Sequence, residues 1–152
     1  TVEDKKQFFW LLKTEGGETA GYIYYKLTDT KSLAKHAKLD EKILLGVSDS
    51  GEKIGQIQSV GIKEKFRGLG IAARLIEFAA DRLQKADVSA VFTVCWKAEN
   101  GAFLAPALKS CGFSFLASAE NVWYDEKQLI CPICGGRCRC GAEIYFKKQE
   151  RN

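Results

Sequence analysis

Two stretches of the sequence carry residue types at spacings that can do chemistry. The first is Arg67-Gly68-Leu69-Gly70-Ile71-Ala72, between an apolar run ending at Ile62 and an amphipathic run that begins at Ile71. In that second run Ile71, Leu75, Phe78, Ala79 and Leu83 recur at three and four residues, the period of one helix face. A helix start leaves about four backbone N–H groups without intrahelical partners and carries partial positive charge. Glycines let an anionic group approach those amides closely, so the stretch suits a pyrophosphate, with Arg67 adding charge beside it. A tight strand-to-helix connection would use the same two glycines, and the turn alone leaves both readings open. Gly68, Gly70 and Ala73 also satisfy G-x-G-x-x-A, but a dinucleotide site needs the first glycine directly after the strand and an acidic residue closing the next one. Here Lys63 to Arg67 intervene and the next strand runs out through Cys95 and Trp96, which sets that reading aside.

The second stretch is CPICGGRCRCG, residues 131–141, which joins C-x2-C to C-x-C with glycines that permit the turns. Cys131, Cys134, Cys138 and Cys140 have the spacing for one closed, structural Zn2+ site; an iron–sulfur cluster, a redox pair or a metal-free loop are the alternatives. Cys138 and Cys140 are too close for a comfortable disulfide, and the cysteines are not spread as a secreted framework, so a reduced, cytoplasmic setting is expected. Cys95 and Cys111 stand apart, with no activating partner in view. Arg137 and Arg139 make a small basic patch, a poor footprint for nucleic acid.

The elements around these stretches follow from pattern. QFFWLLK at 7–13 and TAGYIYYKLT at 19–28 read as a hairpin. Residues 29–41 read as a short exposed helix or ordered loop, and the apolar run from Ile43 to Ser48 pairs with a strand over 53–63 as a second hairpin across Asp49-Ser50-Gly51. The helix from Ile71 follows, then an interior strand at 89–95. Asn100 is placed to cap another helix, in which Pro106 predicts a kink or a late start and which Gly112 ends. Strand pieces at 113–117, 122–124 and 143–148 complete an α/β arrangement on a mixed sheet.

Residues 55–118 resemble the GCN5-related N-acetyltransferase family, whose hallmark R/Q-x-x-G-x-G/A is matched by Arg67 to Ala72. Ahead of it, Ile62, Phe66 and Arg67 keep three positions of the family's V-x-P-x-Y-R, with Glu64 in place of proline. Asn100 and the Gly112-Phe113 pair agree. The resemblance implies a mostly antiparallel mixed sheet flanked by helices and an acetyl-CoA cosubstrate. Amides from Gly68, Leu69, Gly70, Ile71 and Ala72, with Arg67, would hold its pyrophosphate; Val60, Gly61 and Ile62, at a strand bulge, would pair with the pantetheine arm; and Asn100 would touch the cofactor. It further implies a strand and two helices before the first hairpin, for which the six residues ahead of Gln7 leave no room, so a missing upstream region or a truncated fold is expected. The family's acid tyrosine falls on Leu108, or on Ala107 counted from Asn100, and neither can protonate a thiolate; Tyr124 is the substitute. Gln56, Gln58 and Ser59 occupy the strand that often bears a basic carboxylate.

Composition limits the rest. The chain has 152 residues, 46 % hydrophobic and 28 % charged, which suits one folded domain with residues 131–141 as an insertion. No apolar run approaches the roughly 20 residues that cross a bilayer, and the first ten lack a signal-peptide core. A net charge of +4 mildly favours an anionic ligand. The expectation is transfer of acetyl from acetyl-CoA to an amine on a small molecule or protein. The alternatives are a noncatalytic acyl-CoA-binding or protein-interaction module with a structural zinc site, and a zinc-ribbon-like adaptor. No membrane partner is expected.

Overall fold

The computed structural model describes residues 6–48, 52–98, 101–102, 104–119, 130–131, 136–137 and 141–148. Aromatic and β-branched residues make the first hairpin, β1 (Gln7–Lys13) and β2 (Thr19–Thr28), in antiparallel register with Trp10 opposite Ile23. Two short helices follow, α1 (Thr30–Ala37) and α2 (Glu41–Leu45). The Asp29 side chain accepts the Ser32 N–H at 2.7 Å, and the Asp40 side chain accepts that of Lys42 at 3.0 Å, so each helix starts on an aspartate cap. β3 (Ile54–Ile62) returns antiparallel to β2, and α3 (Ile71–Lys85) crosses to β4 (Ala90–Ala98), which lies parallel to β3. A two-residue strand, β5 (Gly101–Ala102), folds back on β4, and α4 (Ala105–Ser110) leads to β6 (Ser114–Ala119). β7 (Ile130–Cys131) and β8 (Gly136–Arg137) form a small separate ladder, and β9 (Gly141–Lys148) inserts between β4 and β6.

The main sheet runs β1-β2-β3-β4-β9-β6, with β5 beside β4. Only β3 and β4 pair in parallel, so the sheet is mixed, mostly antiparallel and flanked by helices, as expected. Its two faces carry separate cores, because successive strand side chains point opposite ways. Val91 and Cys95 of β4 pack with Leu75, Ile76, Ala79 and Leu83 of α3 and with Leu108 of α4. Ala90, Phe92 and Val94 pack on the other face with Leu33, Ala34 and Ala37 of α1 and Leu44 of α2. The short helix expected within 29–41 is present as α1, and while Lys31, Ser32, Lys35 and His36 stay exposed, its inner face, with Leu44 of α2, covers one face of the sheet. The family resemblance puts two helices before the hairpin; here two helices follow it.

Local differences from the sequence reading have physical causes. The run from Ile43 does not form a strand: Ile43 to Leu45 complete α2, so β3 pairs with β2 and the second hairpin is not made. A short apolar run satisfies either period, and here the aspartate cap and the burial of Leu44 favour the helix. The late start expected from Pro106 is seen, with Pro106 in the first turn of α4 and Leu104 at its cap; Asn100, the expected cap, lies outside the described residues. The bulge against β2 falls at Gln58, where Tyr24 faces Ser59 and Tyr25 faces Ile57, slightly before the expected Val60 to Ile62.

Candidate functional site

The strand-to-helix turn is built by two left-handed glycines. Gly68 has φ +81° and Gly70 φ +77°, a region that disfavours residues with a Cβ. Ahead of them, Glu64–Phe66 form one 3-10 turn, held by Phe66 N–H to Lys63 O at 2.9 Å and Arg67 N–H to Glu64 O at 3.2 Å. The Lys63 N–H donates to Ala20 O on β2 at 2.9 Å, and Glu18, in the β1–β2 turn, meets Lys65 at 2.5 Å and Lys63 at 3.9 Å. The hydrogen bond from Lys65, with both lysine charges, holds the Glu18 carboxyl below its ordinary range. The turn is thus fixed to the hairpin beneath it. Arg67 Nε donates to the Ile62 carbonyl at 3.3 Å, which keeps the guanidinium beside the turn.

α3 has no side-chain cap at Gly70, and its first helical bond is Arg74 N–H to Gly70 O at 3.2 Å. The amides ahead of Arg74 have no partner within the helix. A Cβ built on Gly68 or Gly70 meets nothing within 4 Å, so the space above these amides is open. That space belongs to a cavity of about 490 Å³, within the range of small-ligand sites. Its wall takes in Ile62, Arg67, Gly68, Gly70, Ile71 and Ala72 from the expected cofactor set. Val60 and Gly61 lie on β3 short of the cavity, and Leu69 projects outward, 66 % exposed. Leu104, Pro106, Ala107 and Ser110 of α4, with Phe66 and Ala73, make up the rest of the wall. Sequence reasoning missed the α4 contribution, although the late start it drew from Pro106 is what puts the proline in the helix's first turn.

Beside the cavity the sheet opens. β3 and β4 are paired only from Gly55–Ile57 to Val91–Thr93, and both strands continue beyond, to Ile62 and Ala98. On the sheet face away from α3, the Tyr22 and Ser59 hydroxyls are joined at 2.9 Å at the edge of this splay. At the position of the family's acid, Leu108 is fully buried in the core. Ala107, the other alignment, lines the cavity. Tyr124 lies outside the described residues, as does Asn100. Of the strand residues weighed as a base, Gln56 is buried and Ser59 is engaged by Tyr22. On β9 the Tyr145 hydroxyl donates to Glu143 Oε1 at 3.2 Å, and burial, with the Glu143 carboxylate next, pushes Tyr145 up to about 12.

The expected zinc knuckle is corrected. A closed site needs four ligands converging on one ion, and among the described residues no three His, Cys, Asp or Glu side chains are grouped to hold a metal. Cys131 falls in β7, and Cys134, Cys138 and Cys140 lie outside the described residues. Zn2+ is accordingly removed from the cofactors. Cys95 and Cys111 are free, buried thiols. Burial, reinforced by Glu143, pushes Cys95 up to about 12, and burial raises Cys111, whose thiol donates to Ala73 O at 3.3 Å. Neither is a ready nucleophile.

Comparison with known proteins agrees with this geometry. The acetyltransferase (GNAT) family profile matches residues 2–113, and the chain belongs to that family. No curated protein sequence matches the chain. Among solved structures it is similar to Naa20 of Chaetomium thermophilum, with a TM-score of 0.67 and 18 % identity over 93 % of this chain and 65 % of that one. It is also similar to NAA60 of Arabidopsis thaliana, at 0.69 and 16 % over 99 % and 80 %. The ribosomal-protein-S18-alanine N-acetyltransferase of Escherichia coli gives 0.63 and 14 % over 97 % and 72 %. At these identities the likeness speaks of fold. Among the described residues no helix is long and apolar enough to cross a membrane.

Proposed function

We propose that the chain transfers acetyl from acetyl-CoA to an amine carried by a small molecule or a protein. The carrying observation is the open cavity above the Gly68 and Gly70 amides, beside the splay of β3 and β4. In this reading the amides from Gly68 to Ala72, with Arg67, hold the pyrophosphate. Val60 to Ile62 offer backbone groups to the pantetheine arm, and Asn100 is assigned a cofactor contact by the family resemblance. The acceptor enters from the opposite sheet face, past the Tyr22–Ser59 hydroxyl pair, because the α3 side is filled by the cosubstrate.

A neutral amine then attacks the thioester carbonyl: the C–N bond forms, the C–S bond breaks, the amine proton passes to water or a carboxylate, and the departing thiolate takes up a proton. Positioning carries much of the acceleration, and a β3 N–H near Ile62 is assigned to the developing oxyanion. Tyr124 is the proposed acid, since Leu108 has no proton to give. Support comes from family membership and from relatives of similar fold. The Naa20 and NAA60 structures are complexes with bisubstrate analogues, and other relatives are named for protein alanine and arylalkylamine acceptors.

A second reading, a noncatalytic acyl-CoA binder, is favoured by the apolar Leu108. Two assays separate them: calorimetric titration with acetyl-CoA, and thiol release with a panel of an arylalkylamine, a polyamine and a peptide with a free N-terminus. Binding with amine-dependent thiol release supports transfer. Binding with no release for any amine supports the second reading, and no binding overturns both.

A further inference from the structure

Where β3 parts from β4, a bulge, a glycine and two hydroxyls come together on the sheet face away from α3. The last β3–β4 pair is Ile57 with Thr93, and Ile57 packs in the α3 core. Strand side chains alternate, so an unbroken β3 would turn Ser59 toward that same core. The extra residue at Gln58 reverses the alternation: Val60 and Ile62 pack against the α3 core, while Ser59 and Gly61 face Tyr22 on the other side. Bulges beside functional sites re-aim side chains in this way. The Ser59 hydroxyl is thereby set on the strand that flanks the splay, just past the last pair with β4.

Tyr22 is held to meet it. A Cβ built on Gly61 would stand 2.8 Å from Cζ of the Tyr22 ring and closer still to Cε1, so the ring lies in space that only a glycine leaves open. From β1, Phe9 stacks on the same ring, with centroids 5.6 Å apart and planes 22° from parallel. Neighbours on both flanking strands therefore fix the ring, and its hydroxyl meets Ser59 Oγ at 2.9 Å. Both residues are half-buried. Their mutual hydrogen bond uses one of the two hydroxyl hydrogens, which leaves one O–H and free lone pairs on the oxygens. Such a pair can take a proton at one end and release one at the other.

Resting on the acetyl-transfer reading, we propose that the Tyr22–Ser59 hydroxyl pair receives the acceptor's amino group and carries its proton out. Ser59 lies on the strand beside the splay and Tyr22 one strand farther from it, which sets the order of the relay. Ser59 Oγ accepts a hydrogen bond from the amine N–H and so aims the nitrogen lone pair at the thioester carbonyl. The C–N bond forms, the nitrogen becomes positive, and the electrons of the C–S bond leave on the thiolate. The N–H proton passes to Ser59 Oγ, the Ser59 hydrogen to Tyr22 Oη, and the Tyr22 hydrogen to water. Each hydroxyl ends with the one hydrogen it began with. A charged donor makes a stronger hydrogen bond than a neutral one, so the Ser59 contact strengthens as charge develops on nitrogen and favours the transition state over the bound amine.

The test is amine-dependent thiol release from acetyl-CoA by the full chain, with phenylethylamine, spermidine and an alanyl peptide as acceptors, alongside calorimetric titration with acetyl-CoA. Tyr22→Phe and Ser59→Ala are each expected to keep the wild-type acetyl-CoA affinity and to lower kcat/KM for the best amine by about ten- to a hundredfold. The loss should appear in kcat, as for an interaction made in the transition state. The double variant should lose no more than the worse single one, because a relay once broken is not broken again, and Ser59→Thr, which keeps a hydroxyl, should retain turnover. Tyr25→Phe is the control: it removes a hydroxyl from the next residue of β2, one that accepts from Trp10 Nε1 at 3.2 Å, and should leave kcat/KM unchanged. Wild-type kcat/KM in either single variant, additive losses in the double variant, or a loss matched by weaker acetyl-CoA binding or by Tyr25→Phe would overturn the relay while leaving acetyl transfer standing. A wild type that binds acetyl-CoA yet releases no thiol with any of the three amines would overturn both.

Discussion

Replacing Gly70 by alanine separates the cradle's two demands, on backbone conformation and on open space. At φ +77° an alanine carries the left-handed cost of about 1–2 kcal/mol. For a chain of this length that lowers Tm by roughly 2–4 °C per kcal/mol. The new methyl touches no protein atom within 4 Å, so no steric term adds to the loss. It does stand over the amides at the start of α3 and holds an anionic group away from them. Losing one charge-assisted hydrogen bond removes about 1.5–3 kcal/mol, which weakens acetyl-CoA binding roughly ten- to a hundredfold. Gly17→Ala is the control. It has φ +85° and equally open surroundings, but it lies in the β1–β2 turn and does not line the cavity. Calorimetric titration is expected to show weakened binding for Gly70→Ala and wild-type binding for Gly17→Ala, with similar falls in Tm. Equal affinities in the two variants would refute the reasoning, because strain alone would then account for everything.

Gly21→Ala should destabilise the sheet itself by roughly 1–3 kcal/mol, since its Cβ would sit 2.7 Å from the Gly61 carbonyl of the adjoining strand, which cannot rotate away; an unchanged urea midpoint would contradict this. Cys95, with its thiol pushed up to about 12, should resist iodoacetamide near neutral pH in the folded protein and react on unfolding, read by site-resolved mass spectrometry; labelling at the unfolded rate would contradict its burial. Glu18 has a lowered folded pKa, so its contribution to stability is present above the ordinary carboxylate range and lost as pH falls through that lowered value. Glu18→Gln should flatten that part of the acid stability profile, more visibly at low salt, and an unaltered profile would dismiss the Glu18–Lys65 contact as a stabiliser.

The parts of the fold that showed in the sequence are those where one local signal dominates. The change from strand period to helix period across Arg67 to Ile71 marked both the turn and α3, because two glycines and a long amphipathic run agree there. β4 was recognisable as an interior strand from its β-branched residues. The start of the Ile43 to Ser48 run was misread as a strand because Ile43 to Leu45 is too short to show a period, and the helical state of α2 depends on Asp40 and on a sheet face that other segments build. The bulge at Gln58 arises from register between strands, which no single segment encodes. At the site, the glycines were legible from chemistry, whereas the α4 wall arises from tertiary packing across the cavity. The cysteine spacing suggested a metal that the described residues do not bear out.

The most direct measurement is the amide spectrum of isotopically labelled protein titrated with acetyl-CoA. The account predicts that the largest shifts fall on the amides of Gly68, Gly70, Ile71 and Ala72, with little change at Gly17. Shifts that avoid the start of α3, or none at saturating acetyl-CoA, would contradict a pyrophosphate cradle there.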